Sequence, residues 1–331
     1  MKIHQIGVIG FGVRGCHSLE RELAATKRAV IRKIYAGPEL GDHCWGEALN
    51  DELTAWSTRE GVTLAASPEE IFEDREIDIV SVMTAPRFKP QYLAAALRHG
   101  KKAVTDKPLA MTVADLAAVD AALADENDLF VLAGYWNRPG VAKVIEAVRS
   151  NRLGEILAVN VRLNFMGGIF PGFQPNPRWI EENPGAELAT IGSHALMTVL
   201  EMLEFDAVES FYRKRAHFYP EYRAVGAEDC GVAAIRTGRG AVINIEVGRL
   251  PYRIDNEDFT LEVTGTRGYA SYQRGRYAIY ADGRTDAGEG AVFRLADTFH
   301  QVLDAWERQR PLPANYRQGR RLQQLLELMQ P

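Results

Sequence analysis

Through the first part of the chain, short apolar runs alternate with stretches whose apolar residues recur at helical spacing. Ile3, Ile6, Val8 and Ile9 form a first strand, Leu19 and Leu23 lie on the helix that follows, and Val30 to Tyr35 forms a second strand. A helix from about Trp45 to Glu60 leads to Val62-Thr63-Leu64 and then to a short helix beginning at Pro68. Ile77 to Val82 is almost continuously apolar, the pattern of a strand buried on both faces. A helix over Pro90 to His99, with Tyr92, Leu93, Ala96 and Leu97 on one face, precedes a strand at Lys101 to Val104. A further helix, Val113 to Ala124, and a strand, Leu129 to Ala133, complete the series. Strand and helix alternating in this way predict a doubly wound α/β domain on a parallel sheet of about six strands.

The pattern then changes. Tyr135-Trp136-Asn137-Arg138-Pro139 reads as a hinge, so the chain is divided into domains 1–134 and 135–331. After a helix to Arg149, Leu157 to Phe165 alternates as a long strand, 167–184 is a loop rich in Gly, Pro and Asn, and Glu187 to Leu203 is an amphipathic helix. Strand-like runs follow at Phe211 to Phe218, Gly231 to Ile235, Ala241 to Val247, Phe259 to Val263, Tyr269 to Gln273 and Tyr277 to Tyr280, separated by glycine turns. Strands without intervening helices predict an α+β domain on a mostly antiparallel sheet. Two helices, about Ala291 to Gln309 and Tyr316 to Met329, end the chain.

Composition narrows the function classes. The 331 residues suit about two domains, and 46% hydrophobic with 25% charged residues is ordinary for a globular protein. A net charge of -5 argues against nucleic acid as partner, and the sharpest basic run, Arg213-Lys214-Arg215, reads as the solvated side of a strand. Cys16, Cys44 and Cys230 have no paired spacing, so no metal site or disulfide framework is expected, and Asp42-His43-Cys44 reads as a solvated loop. No apolar run approaches the ~18 residues of a membrane span, and the N-terminus enters a strand without a basic leader. A cytoplasmic protein is expected.

Two stretches carry chemistry. Gly10-Phe11-Gly12-Val13-Arg14-Gly15 lies between the first strand and its helix, the context of a dinucleotide fingerprint. Gly10 permits the tight turn, Gly12 lets the backbone approach a pyrophosphate, and Gly15 lets helix and strand pack closely. The end of the second strand, Tyr35-Ala36-Gly37-Pro38, lacks the acid that binds the ribose hydroxyls of NAD. Either Glu39 or Asp42 takes over, or the cofactor is NADP with Arg14 as phosphate partner. The expectation is NAD or NADP, leaning to NADP. The second stretch is Thr105-Asp106-Lys107-Pro108-Leu109, which sets Lys107 at the carboxyl end of a strand, where ligands lie in an open parallel sheet. An amine there can hold a substrate oxygen or exchange a proton with it. Pro108 keeps Lys107 out of helical geometry. A surface lysine before a helix is the plainer reading of the same residues.

Together these motifs, with Thr84-Ala85-Pro86 and with Thr190-Ile191-Gly192-Ser193-His194 in the second half, resemble the Gfo/Idh/MocA oxidoreductase family over nearly the whole length. The resemblance implies a Rossmann domain, a second domain whose open sheet buries its outer face in a homodimer or homotetramer, and a substrate cleft between them. It implies hydride transfer between NAD or NADP and a sugar, inositol or related polyol derivative. Lys107 would polarise the oxygen and act as acid/base, with His194 as relay or alternative base. The Gly10 to Gly15 loop, Thr84, Pro86, Asp106 and Lys107 would meet the cofactor.

The chain departs from the family at two points. Asp106 stands where the family has Glu, which keeps the charge. Thr190 stands where the family has Asp, four residues before the histidine. Glu187, on the same helical face, is the candidate replacement for orienting His194, unless it only favours the helix N-terminus. Lys89 occupies a position where the family often has histidine and faces either cleft or solvent. Arg178 and Trp179 are suited to cover a sugar by charge and stacking, and Tyr252 is a further candidate for the pocket. Two other activities fit the family: a glycosidase using tightly held NAD for transient oxidation, and a non-catalytic, cofactor-sensing regulator. The missing carboxylate at 190 favours the regulator; Lys107 and His194 oppose it.

Overall fold

A computed structural model of the chain describes residues 2–10, 20–37, 57–58, 61–165, 185–205, 207–249, 257–292 and 294–330. The chain divides into two compact units, residues 1–132 with 294–323, and residues 133–293 with 324–331.

The first unit is built on six parallel strands: β1 (His4–Ile9), β2 (Ala29–Tyr35), β3 (Thr63–Leu64), β4 (Ile79–Val82), β5 (Lys102–Asp106) and β6 (Leu129–Leu132). They lie in the order β3-β2-β1-β4-β5-β6, so the winding reverses between β1 and β4. Every residue of β4 is buried, as its apolar run requires of a central strand. Helix Lys89–Arg98 buries Tyr92, Leu93, Ala96 and Leu97, the face its spacing predicts. The expected helix from Val113 is shorter and mixed, a 3-10 turn at Ala114–Leu116 followed by Ala117–Ala122. Its first turn is closed reciprocally: Thr112 N–H donates to Asp115 and Asp115 N–H to the Thr112 hydroxyl.

The chain returns to this unit near its end. In helix Leu295–Glu307, the Ala296 N–H donates to Glu22 and the Trp306 ring N–H to the Asn127 carbonyl, while the Val131 N–H donates to the Ala314 carbonyl. A boundary at 134/135 therefore leaves out residues 294–323, because contacts between distant segments leave no local periodicity.

The second unit is built on eight strands: β7 (Ile156–Phe165), β8 (Val208–Ala216), β9 (Cys230–Thr237), β10 (Val242–Arg249), β11 (Glu257–Gly265), β12 (Gly268–Gln273), β13 (Arg276–Ala281) and β14 (Arg284–Glu289). Their order is β14-β13-β12-β11-β7-β10-β9-β8, with β7 and β10 parallel and the other neighbours antiparallel. Val159, Val161 and Leu163 line up with Ile243, Ile245 and Val247 on the buried face, against which helix Gly192–Met202 packs. β14 was not predicted: Arg-Thr-Asp-Ala-Gly-Glu has no apolar alternation, and it is a half-solvated edge strand with charges that discourage further pairing. The expected helix Glu187 to Leu203 is two pieces, Ala186–Thr190 and Gly192–Met202.

Arg213-Lys214-Arg215 is only partly the solvated run it resembles. Lys214 is exposed, but Arg213 and Arg215 donate to the Leu328 and Met329 carbonyls where helix Tyr316–Leu328 ends, a site that favours cations. No helix among the described residues is long and apolar enough to cross a membrane.

Candidate active site

The parallel register brings the candidate residues of the first unit to one edge. Ile9, Val82, Thr105 and Val131 stand side by side in β1, β4, β5 and β6, so Gly10, Met83, Asp106 and Leu132 form the next row at the carboxyl ends. Gly10 follows β1 at the point where the winding reverses, the position where ligands enter such sheets. Its φ is +97°, and a Cβ there would lie 2.7 Å from the Met83 carbonyl oxygen and 2.9 Å from Thr84 Cγ2. Only glycine allows so close an approach to the end of β4, and the edge this leaves fits a dinucleotide. Thr84 and the buried Pro86 follow β4 on this edge. Phe11, Gly12, Val13, Arg14 and Gly15 lie outside the described residues, as do Glu39, Asp42, His43 and Cys44.

The turn after β5 is held from beneath. The Thr105 hydroxyl donates to the Val82 carbonyl at 2.7 Å, tying the end of β5 to β4. Lys89, 1% exposed, donates to the backbone carbonyls of Asp106 and Pro108, each at 2.9 Å, and to the Asp106 carboxylate. An ammonium buried this deeply needs such acceptors. This corrects the choice of cleft or solvent for Lys89: its charged end grips the turn on both sides of Lys107. Asp106 carries that ion pair. Lys107 is itself 7% exposed, which removes the plain surface-lysine reading. The bond from Lys107 to Pro108 is cis.

In the second unit, Glu187, Thr190 and His194 lie on the two short helices. His194 is half-exposed on an otherwise buried turn. Its Nδ1 accepts the backbone N–H of Gly134 at 3.2 Å, and its ring stacks on Tyr135 at 5.6 Å between centroids. The guanidinium of Arg138 lies 3.9 Å over that tyrosine, and Phe259 packs beside it. The Thr190 hydroxyl donates to the Ala186 carbonyl.

Glu187 does not take the orienting role expected of it. Fully buried, its Oε1 accepts from Nε and Nη2 of Arg249 at 2.8 and 2.6 Å and from the Tyr222 hydroxyl. A buried carboxylate is drawn to the strongest available cation, and Arg249 at the end of β10 supplies a two-nitrogen fork. Burial, helped by the Glu187 charge, pushes the Tyr222 phenol up, so it stays a donor. Burial pulls Arg249 down, but Glu187 and Tyr222 outweigh it, and the guanidinium stays charged. Beside this pair, Glu228 accepts the Leu188 N–H at 3.0 Å, and burial raises its carboxyl above the usual range. Arg249, Tyr222 and Glu228 carried no local sequence signal. Arg178, Trp179 and Tyr252 lie outside the described residues.

Residues 4–135 match the model of an oxidoreductase family with an NAD-binding Rossmann fold, GFO_IDH_MocA, and residues 141–271 match the GFO/IDH/MocA C-terminal domain. The chain belongs to the Gfo/Idh/MocA oxidoreductase family. Its first unit is the family's NAD-binding domain. Among relatives, levoglucosan dehydrogenase of Pseudarthrobacter phenanthrenivorans is 25% identical over 295 residues, covering 80% of this chain and 72% of that protein. Inositol 2-dehydrogenase 2 of Saccharopolyspora erythraea is 28% identical over 158 residues, covering 47% of this chain and only 43% of that protein's length. The solved structure of levoglucosan dehydrogenase in complex with NADH and levoglucosan has a TM-score of 0.79 at 19% identity and covers 98% of this chain and 96% of its own. At that identity the likeness is one of fold.

Proposed function

We propose that this member of the family transfers a hydride between a nicotinamide cofactor and a carbinol carbon of a sugar, an inositol or a related polyol derivative. The observation that carries the reading is Lys107, buried at the carboxyl edge of the parallel sheet, one residue past the row of Gly10, Met83 and Asp106, as Thr84 is on the neighbouring strand. Relatives named as inositol and levoglucosan dehydrogenases support the substrate class. When bound, nicotinamide supplies the carbon that accepts or returns a hydride. In the oxidising direction that ring would take the carbinol hydrogen with its electron pair. The hydroxyl proton would pass to Nζ of Lys107 as the neutral amine, giving an ammonium and leaving a carbonyl, and reduction would reverse both transfers. Lys89 and Thr105 hold the turn that aims the amine.

For the cofactor we favour NAD(H) over the NADP expected from the missing acid after β2. The family is described as NAD-binding, and a solved relative is named as a complex with NADH. A dissociation constant tighter for NADP than for NAD would reverse this. For assembly we keep the outer face of the eight-stranded sheet, where Tyr212, Val232 and Tyr280 share one side and stand 61%, 40% and 49% exposed. Light scattering should then report a dimer or tetramer, reduced to monomer by Tyr212→Asp with Tyr280→Asp.

The catalytic reading is tested by screening sugars, inositols and sugar acids with each cofactor for a change in nicotinamide absorbance. On an active substrate, Lys107→Ala should lower turnover by roughly 10²- to 10⁴-fold with cofactor affinity nearly kept. Turnover within a few-fold of the original would remove Lys107 from the chemistry.

A further inference from the structure

Two carboxyl oxygens inside the second unit face no donor. Glu187 and Glu228 are fully buried, and in each the Oε2 atom has no hydrogen-bond partner among the described residues. The donors that reach Glu187, namely Nε and Nη2 of Arg249 and the Tyr222 hydroxyl, all go to Oε1. Oε1 of Glu228 accepts the N–H of Leu188 at 3.0 Å, which sets this carboxyl against the peptide joining Glu187 to Leu188. Two ionised carboxylates there would repel in a poorly solvated place, each with an oxygen left unsatisfied.

The charges around Glu228 do not compensate it. Among the described residues Glu187, Glu228 and Asp229 bring three buried carboxyls, and the guanidiniums paired with them are two, Arg249 with Glu187 and Arg215 with Glu228. The second pair is loose. Arg215 Nη1 stands 3.7 Å from Glu228 Oε2, too far to donate, while its Nη2 donates to the Met329 carbonyl at 2.5 Å. Arg213, also on β8, donates to the Leu328 carbonyl, and Nδ1 of His217 meets the Ala227 carbonyl. Asp229 is engaged as well, its Oδ2 accepting the N–H groups of Phe218 and Tyr219 ahead of helix Pro220–Ala224. Burial and the Asp229 charge push the Cys230 thiol up, so it adds no charge. Burial raises the Glu228 carboxyl and the Glu187 charge adds to this, against the opposing pull of Arg215 and the Leu188 N–H.

We propose that Glu228 is a neutral acid at neutral pH and donates through Oε2–H to Oε2 of Glu187, fastening the short helix Ala186–Thr190 to the segment that enters β9. One side chain then holds the helix twice, accepting from Leu188 and donating to Glu187. Both unsatisfied oxygens gain a partner and the excess negative charge disappears. The fastening is sensitive to pH. A folded-state carboxyl raised above its ordinary value of 4.5 keeps its proton after the unfolded chain has lost its own. The stability it contributes is complete below that value and is lost as pH rises toward the folded-state value, where Glu228 ionises and attraction to Glu187 becomes repulsion. None of this rests on the proposed function.

Carbon-13 NMR of the full chain labelled at the glutamate carboxyl carbons reads the proton directly. At neutral pH one glutamate should show the shift of a protonated carboxyl, and that signal should be missing from Glu228→Gln. The glutamine amide keeps the size, the acceptor for Leu188 and a donor toward Glu187. Finding only ionised glutamates at neutral pH overturns the proposal and needs no variant; a protonated signal that survives in Glu228→Gln belongs to another residue and overturns it too. Denaturant titration at a series of pH values gives the second arm. The unfolding equilibrium constant of the original chain, divided by that of Glu228→Gln, should rise by up to about tenfold per pH unit above 4.5. A ratio that stays level, or falls because Arg215 holds Glu228 ionised, contradicts the proposal.

Discussion

The two candidate catalytic residues each lie near a buried ion pair, and the pairs are built differently. Near Lys107 the buried charge is a cation, Lys89, and two of its acceptors are backbone carbonyls of the residues that flank Lys107. Near His194 the buried charge is an anion, Glu187, and its recorded partners are side chains, Arg249 from β10 and Tyr222. The first device shapes a turn directly. The second ties the short helix Ala186–Thr190, which precedes the helix of His194, to β10. Charge in a promising position is therefore not by itself a substrate contact. Lys89, expected to face cleft or solvent, and Glu187, expected to orient His194, are both buried against these partners.

This contrast can be broken by substitution. The largest effect is expected at Arg249→Met, which leaves the Glu187 carboxylate buried without its cation and should lower unfolding free energy by roughly 3–5 kcal/mol in denaturant titration. Adding Glu187→Gln should restore much of the loss; if the single change costs less than about 1 kcal/mol, the pair is not what supports the helix. Next comes Lys89→Met, which strands the Asp106 and Pro108 carbonyls and should cost about 1–3 kcal/mol. Because its partners flank Lys107, this change should also depress turnover while the Michaelis constant for cofactor holds. A pure stability loss with unchanged turnover would deny it a positioning role. The smallest effect belongs to Arg236→Ala, whose partner Glu209 is, like Arg236 itself, more than half exposed. It should change stability by no more than about 1 kcal/mol, and a larger loss would mean that exposed pairs carry this sheet as well.

Much of the fold was legible because its strands alternate or run apolar as their burial demands. The buried run of β4 and the alternation of β9 translate directly into strand positions. Lys107 was legible for the same reason, since a strand end followed by proline fixes its place. What escaped was whatever depends on distant partners or weak patterns. The return of residues 294–323 to the first unit, the edge strand β14 and the Glu187 pair with Arg249 are examples. His194 was found on its helix, but the amide that donates to its Nδ1 lies 60 positions away.

The central claim is hydride transfer, and isotope transfer tests it most directly. With substrate deuterated at the reacting carbinol carbon, reduced cofactor formed by the full chain should carry one deuterium on its nicotinamide ring, as read by mass spectrometry. Reduced cofactor that forms without deuterium, or loss of the label from the substrate with no net reduced cofactor, would contradict the account.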